Sequence, residues 1–482
     1  RTDSKFPRVS SLTGTLLDKY HIAGDSSINA AITALTQPFN NIVPLIYTEG
    51  NNGSYSGDQA AAARYLTVNA HPFAKDVYFN GVDVGTFQTQ WSDTGDHREP
   101  VYMIPRIPMA LLTGSFGIAV GYKSDTVAVS LKNLCMAVQR YIELRKKGVI
   151  QTANLNTELG HFFLPDFPTK CMIKNKKKLV ESYRAGEYKQ SIVLDGSMII
   201  GPSSIIITSL PPGENVENVV FSMGKQIIGK DNFMVDNFQT INDSSKKMEC
   251  RIKLTLKRGI SPFTVLNELK KLIGFTKTWK PLPLLVDASG HCSSFTPIQI
   301  LNDWYVERSR SILGGLKLTQ RRLINELHKL SALILVRDHA KEVFDMHDNA
   351  KDGQEITSLC KRFGLTITQA QYISSLQFRD ITAKGKDQLI AEKTKIEIAV
   401  NELNKTLLTV PERMIEDADY IMNKHASVGK TRTVSDVFMG SVSIEDVGII
   451  QFYDLEELSG IVSRFGDEVD ITLYPSGSKI KV

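Results

Sequence analysis

Leucines recurring at intervals of seven constrain this chain more than any other feature. Leu316, Leu323 and Leu330 occupy one heptad position, with Leu327 on the same face. Leu389, Ile396 and Leu403 repeat the spacing further on, with Val400 and Leu407 at the companion position. Apolar side chains at this period bury a narrow stripe of one helix against another. Two such helices around a compact segment at about 333–385 predict an antiparallel coiled-coil arm with a helical globule at its tip, within a region of about 291–433. A plain helical bundle satisfies the same periodicity.

With 482 residues, the chain has room for about three domains of 100–200 residues each. Residues 126–290 mix a helix at Leu131–Arg145 with strand-like runs at Ser191–Leu194, Ile205–Thr208 and Met248–Leu256, which predicts an α/β domain. Residues 1–125 carry short amphipathic helices at Ser11–Tyr20 and Asp25–Thr36, joined by a turn through Gly24, with Asp25 and Ser26 as caps. Such a pair is either a helix-turn-helix able to enter a DNA groove or an ordinary packed pair. The last stretch, 434–482, reads as short strands. The expected class is therefore a multidomain α+β protein.

Composition excludes more than it selects. A formal net charge of +5 permits a nucleic-acid partner without requiring one. The run Lys174, Lys176, Lys177 and Lys178 is a solvated face or a contact to a DNA backbone. No apolar run reaches the roughly 20 residues of a membrane helix, so no membrane partner is expected. The five cysteines are dispersed and odd in number, as expected of reduced thiols, and the nine histidines make no metal-ligand spacing. The polar start, Arg1-Thr2-Asp3-Ser4-Lys5, has no leader character. Without an initiator Met, the sequence reads as a processed or truncated chain.

One segment carries chemistry. Glycines at 50, 53 and 57 precede Ala60-Ala61-Ala62-Ala63 and then Arg64-Tyr65. The glycines permit tight turns, the alanines predict a helix surface approached closely, and Arg64 sets a cation able to grip phosphate beside a phenol. A free phenol ionises near pH 10 and is a poor nucleophile, so activation by a cation, base or metal would be needed. An Arg-Tyr dipeptide alone is usually structural.

The order of motifs adds to this. Lys19-Tyr20-His21-x-x-Gly24-Asp25-Ser26, Gln37-Pro38-Phe39, Gly50-Asn51-x-Gly53-Ser54, Gly57-Asp58 and Ala61-Ala62-x-Arg64-Tyr65 follow one another. Ile107-Pro108-x-x-Leu111-Leu112-x-Gly114-Ser115-x-Gly117-Ile118-Ala119-Val120-Gly121, Pro165-Asp166-Phe167-Pro168-Thr169 and Tyr183-Arg184-x-Gly186 come next. Leu365-Thr366-x-x-Gln369-Ala370-Gln371-x-Ile373-x-x-Leu376 and Ile381-Thr382 close the series. Over roughly residues 8–433 the chain resembles the breakage-reunion subunit of type IIA DNA topoisomerases: gyrase A, the C subunit of topoisomerase IV and the medium subunit of phage enzymes.

That resemblance implies a winged-helix cleavage domain at 1–125, a tower at 126–290, a coiled coil with a dimerisation globule at 291–433 and a short extension at 434–482. It implies that Tyr65 forms a transient 5′-phosphotyrosyl link, with Arg64 holding the scissile phosphate. His21, Arg8, Lys19 and Ser26 are implied to contact DNA, and Ile118 to wedge between base pairs. Implied partners are double-stranded DNA, a second copy through the exit gate, and a toprim/ATPase subunit in a heterotetramer. Mg²⁺ and ATP would be bound by that subunit or by an upstream region, with no metal in this chain. Implied localisation is the bacterial or infected-host cytoplasm. With about 50 residues after the coiled coil and no wrapping propeller, relaxation and decatenation are expected rather than supercoiling.

Departures accompany the matches. Ala23 replaces the second histidine of the Y-H-x-x-G turn, Ala30 an acidic residue bearing on quinolone sensitivity, and Asn52 a usual aromatic. The basic K-P-x-x-R-R helix is not seen. Ser427-Val428-Gly429-Lys430-Thr431 only ends like a P-loop, since Lys424 stands where glycine is required. Asp417 and Asp419 are two apart in a helical pattern and do not share a face. The competing reading is a non-catalytic, dimeric helix-turn-helix DNA-binding or architectural protein. A tyrosine recombinase is remoter, because no Arg-His-Arg constellation precedes a C-terminal tyrosine.

Overall fold

The computed structural model describes residues 6–80, 86, 88–214, 216–227, 234–240, 251–262, 264–265, 274–287, 290–348, 354–376, 385–431, 433–435, 440–444, 448–452, 470–474 and 478–481. The chain divides into two compact units, one of residues 1–82, 88–306 and 414–482 and the other of residues 83–87 and 307–413. Helix and sheet are mixed in the first; among the described residues of the second, helix dominates.

In the first unit, α1 (Val9–Lys19) and α2 (Asp25–Thr36) precede an antiparallel pair, β1 (Ile46–Glu49) and β2 (Thr67–Ala70), with Ile46 opposite Ala70 and Glu49 opposite Thr67. The first helix starts two residues before the expected Ser11, because the Val9 N–H bonds the Leu66 carbonyl (2.9 Å) and its side chain is buried there. Gly24 is the N-cap of α2, not Asp25. The Asp25 carboxylate instead accepts the Ser26 N–H (2.8 Å), and the Ser27 hydroxyl donates to the Gly24 carbonyl (2.6 Å). Val9, Ile28, Ile32, Leu66 and Val68 form one buried cluster, so the apolar faces of both helices close over the start of β2.

After α3 (Pro72–Tyr78) come two hairpins, β3 (Thr89–Trp91) with β4 (Arg98–Pro100), and β5 (Ser115–Ala119) with β6 (Tyr122–Thr126). Helix α4 (Met109–Thr113) lies between them. Strand β7 (Ala128–Val129) pairs with β8 (Pro165–Asp166), and α5 (Leu131–Lys146) and α6 (Thr152–Leu159) intervene. The α/β part contains β9 (Met172–Ile173), α7 (Lys176–Arg184), β10 (Ile192–Asp195), β11 (Ser197–Ile200) and β12 (Ser204–Ser209). It continues with α8 (Val216–Ile227), β13 (Val235–Thr240), β14 (Ile252–Leu256), β15 (Thr276–Trp279), β16 (Leu284–Val286) and β17 (Cys292–Ser294). Strands in the order β11-β12-β14-β13 make an antiparallel sheet whose inward residues alternate along β12 and β14: Ile205 and Ile207, Ile252 and Leu254. With Met198, Ile200, Val219, Met223 and Phe275 they form one buried cluster.

Strand β14 starts at Ile252, whereas the alternation was expected from Met248; residues 248–250, including Cys250, lie outside the described residues. Cys135 and Cys171 are buried, which pushes both thiols up to about 12. Lys174 is half committed to the sheet through Asp195 (3.2 Å), while Lys177 and Lys178 on the first turn of α7 face solvent.

Helix α9 (Pro297–Arg337) runs for 41 residues and passes into the second unit. There α10 (Ala340–Asp348), α11 (Glu355–Phe363) and α12 (Ile367–Ser374) precede α13 (Lys386–Leu408). The Gln320 amide donates to Asn404 (2.6 Å) and the Lys386 ammonium bonds Asp338, so the two long helical segments run in opposite senses. Leu316 is buried and Leu323, Leu327, Leu330, Ile396, Val400, Leu403 and Leu407 are half-buried, as a narrow two-helix seam produces. Ala332, Leu333, Val336, Leu359, Leu365, Ala370, Ile373 and Leu389 form the buried cluster around α10–α12. Thr366 caps α12 in a reciprocal box with Gln369. Ile381 and Thr382 lie outside the described residues.

Helix α14 (Val410–Lys424) returns the chain to the first unit. Within that unit, Met414, Ala418 and Ile421 are buried and Asp417 pairs with Arg106. Asp419 accepts from Gln139, so both acids of the D-x-D pattern serve packing. Asp76 of α3 is buried and accepts from Asn80 (2.8 Å), Lys424 (2.8 Å) and His425 (2.9 Å). Backbone strands β18 (Val434–Ser435) and β19–β22 (Gly440–Ile444, Gly448–Phe452, Asp470–Tyr474, Ser478–Lys481) complete the chain; β18 runs parallel to β9.

Burial alone would raise the Asp76 carboxyl, but hydrogen bonds from Lys424, Asn80 and His425 overcome this and hold it at about 2. A depressed carboxylate stabilises the fold fully above its unfolded value of roughly 3.9, and that contribution is lost as pH falls through about 2. Asp76→Asn should therefore lower stability at neutral pH by about 1–2 kcal/mol, after discounting for half-exposed Lys424. Chemical denaturation of both proteins should show the difference shrinking between about pH 4 and pH 2.

Candidate functional site

Tyr65 ends a single turn of 3₁₀ helix, Ala63–Tyr65, set between the loop at 50–61 and β2. The four alanines do not make the expected helix. The Ala61 N–H bonds the Asn51 carbonyl (2.8 Å) across the loop, which holds the residues before the turn extended. Next to Tyr65, Leu66 is fully buried and begins the extended backbone that leads into β2, which leaves Tyr65 on the outer side of the turn. Tyr65 is accordingly 66% exposed. The Arg64 guanidinium lies 4.7 Å from the centre of the Tyr65 ring, within cation–π range.

Arg8 is brought to the same place. It caps α1, bridges Thr67 as a short antiparallel contact, and stays exposed. Arg8, Arg64 and Tyr65 thus share the edge where the segment before α1 meets β2. Lys19, His21 and Ser26 lie at the other end of α1, about 16 Å along the helix at 1.5 Å per residue. All three are exposed. His21 Nδ1 lies 2.7 Å from Asp93, the Thr94 hydroxyl donates to the Lys19 carbonyl (2.8 Å), and the Asp93 N–H bonds the Tyr20 carbonyl (3.1 Å). The α1–α2 turn is therefore fastened to the tip of the β3–β4 hairpin. Asp93 could not be found from spacing, being 72 residues from its partner.

Ile118 belongs to neither group. It lies within strand β5 rather than in a turn, paired with Lys123 on β6, and is 73% exposed. Phe116, two residues before it on the same face, is also exposed, with Lys123 5.5 Å from its ring centre. At the base of the hairpin Gly114 has φ +62, and a Cβ there would stand 2.9 Å from the Thr126 carbonyl. The hairpin is further joined to Leu282 by two backbone bonds, Asp125 N–H to the Leu282 carbonyl (2.9 Å) and Leu282 N–H to the Asp125 carbonyl (2.8 Å).

Asn52 is buried, and its amide donates to the Thr36 carbonyl (2.9 Å) while its own carbonyl accepts from Gln37 (2.7 Å). It ties the loop to the end of α2. Among the described residues, no three His, Cys, Asp or Glu side chains gather to hold a metal ion. Nor is any helix there long and apolar enough to cross a membrane.

Comparison with known proteins gives this geometry its context. The family model for the A subunit of DNA gyrase/topoisomerase IV matches residues 1–418. The DNA gyrase A protein of Streptococcus pyogenes serotype M3 is 27% identical over 464 residues, covering 94% of this chain and 54% of that protein. Its Clostridium acetobutylicum counterpart is 28% identical over 411 residues, covering 83% and 47%, and the Streptomyces coelicolor one 26% identical over 455 residues, covering 93% and 52%. The chain spans about half the length of these relatives. A match over so much of the chain, in the order of its motifs, makes it a member of the family formed by the A subunits of DNA gyrase and topoisomerase IV.

Proposed function

We propose that this chain is the DNA breakage-and-reunion part of an ATP-dependent type II topoisomerase, an isomerase, with Tyr65 as its nucleophile. The observation that carries the reading is the Ala63–Tyr65 turn, an exposed phenol braced by buried Leu66 with the Arg64 cation against its ring. In this reading Tyr65 Oη attacks the phosphorus of a phosphodiester. The bond from phosphorus to the 3′ oxygen breaks as the tyrosyl–phosphorus bond forms. The phenol proton passes to solvent, and the 3′ oxygen leaves as a hydroxyl. The phosphotyrosyl bond keeps the energy of the broken one, so the reverse attack by the 3′ hydroxyl reseals the strand. Arg64 offsets charge that builds on the phosphate oxygens. Arg8 holds the backbone beside it.

Lys19, His21 and Ser26 line the exposed α1–α2 turn and take phosphates further along the duplex. Ile118 and Phe116 form an apolar edge suited to unstacking a base step and bending the DNA. The 1–125 portion acts as a winged-helix cleavage domain, the β11–β14 sheet belongs to a tower under the bent duplex, and α9 with α13 forms a coiled-coil arm. Helices α10–α12 join two copies, so that paired Tyr65 residues open both strands for passage of a second duplex, relaxing and decatenating DNA. Mg²⁺ and ATP are assigned to a toprim/ATPase polypeptide or an upstream region.

Tyr65→Phe should abolish covalent trapping of DNA by denaturant while leaving duplex affinity within about twofold. Trapping that survives the substitution would place the nucleophile elsewhere, whereas duplex binding with no trapping by the parent protein would support the architectural alternative. Ile118→Ala should leave the unfolding midpoint unchanged, since its side chain is exposed. It should reduce the bend of a short duplex, measured by energy transfer between dyes at its two ends.

A further inference from the structure

The loop from Gly50 to Ala61 is closed twice. At its base Ala61 N–H bonds the Asn51 carbonyl (2.8 Å); inside it, Ser54 N–H bonds the Asp58 carbonyl (3.1 Å) and the Ser54 hydroxyl bonds the Asp58 carboxylate (2.6 Å). Four residues past the base stands Tyr65. At the tip, Tyr55 leaves the loop and packs its ring on the core of the β11–β14 sheet. Its hydroxyl lies 3.2 Å from both the carbonyl and the N–H of Leu210, donating to one and accepting from the other. Leu210 follows β12 directly and is itself fully buried in that core. Beside this contact Gly57, with φ +115, admits the Glu217 side chain of α8, whose Cγ would stand 2.7 Å from any added Cβ. The loop that precedes the nucleophile thus meets the end of β12 and the helix α8, each more than 150 residues away in sequence.

From this we infer that Tyr55 is a positioning residue. Through its two-point hydroxyl contact with Leu210, it registers the Ala63–Tyr65 turn against the β11–β14 sheet. The inference rests on the reading of Tyr65 as nucleophile. A loop closed at its base transmits a displacement of its tip, so a shift of the β11–β14 sheet relative to α1 and β2 reaches the phenol. Alignment of an attacking oxygen is a steep determinant of rate, whereas DNA affinity is spread over many contacts.

Tyr55→Phe keeps the ring in the apolar core and removes only the hydroxyl. In the full chain assembled with its toprim/ATPase subunit, single-turnover formation of the covalent complex at saturating DNA should slow about tenfold. The DNA concentration giving half the maximal rate should stay as in the parent, while the unfolding midpoint should fall modestly, because the buried Leu210 carbonyl and N–H lose this partner. Hydrogen exchange should rise in peptides covering 51–66 and not in those covering α1. An unchanged rate at saturating DNA, with Tyr65→Phe inactive, would overturn the positioning role alone. Covalent complex formed by Tyr65→Phe would overturn the nucleophile reading instead. If the Phe variant does not fold, Tyr55→Met, which fills the same apolar space without a hydroxyl, carries the same test.

Discussion

The Val9 N–H bond to the Leu66 carbonyl, closed around a Leu66 side chain with no solvent exposure, is the contact on which the neighbourhood of Tyr65 depends. Complete burial of a leucine is worth about 2–3 kcal/mol, enough to fix which way this stretch of backbone faces. With Leu66 and Val68 turned inward along the extended backbone, Thr67 faces the other way, and Tyr65 at the end of the 3₁₀ turn stays exposed. Val68 N–H bonds the Pro7 carbonyl (3.0 Å), so residues 7–9 lie along β2 as a short added strand. Arg8 reaches the edge beside Tyr65 by this backbone pairing, without any side-chain bond to it.

Glycine does comparable work at two places under exposed residues. A Cβ on Gly50, with φ +110, would stand 3.0 Å from the Tyr65 carbonyl, and one on Gly114 would stand 2.9 Å from that of Thr126. In each case the chain passes directly beneath a projecting residue, the phenol at one site and the Ile118 hairpin at the other. A larger residue would push the support away and loosen what it carries. Both projecting groups are therefore set on close-packed backbone rather than on free loops.

Elements with a long apolar period were legible in the sequence: α2 and α5 fall where their spacing puts them, and the heptad leucines are buried or half-buried along α9 and α13. Local propensity failed where a distant bond overrode it. Ala60–Ala63 would favour a helix in isolation, but the Asn51 carbonyl captures the Ala61 N–H and leaves only the turn at Arg64. Tyr65, Arg64 and Ile118, singled out by motif and resemblance, are exposed, but nothing in the sequence pointed to their supports. Asp93 beside His21 and Tyr55 on Leu210 come from contacts whose partners are 72 and 155 residues apart. Asp76 and His425 are 349 apart, and no periodicity in a single sequence links such positions.

The charge balance illustrates why a sum conceals what placement reveals. A surplus of five cations in 482 residues is compatible with almost any protein. Many basic groups are spent on structure: Arg106 on Asp417, Lys424 on Asp76, Lys174 on Asp195 and Lys277 on Glu214. Removing such pairs from the count leaves a different distribution. Among the described residues, Arg8, Lys19 and Arg64 are exposed and have no carboxylate at ion-pair distance. Each such cation retains its hydration and counterions, which a polyanion can displace with a gain in entropy. Arg8 and Arg64 stand at the edge that carries the exposed phenol, and Lys19 at the far end of α1, so part of this unit's unpaired charge lies along that helix. The +5 of the whole chain would have placed it anywhere.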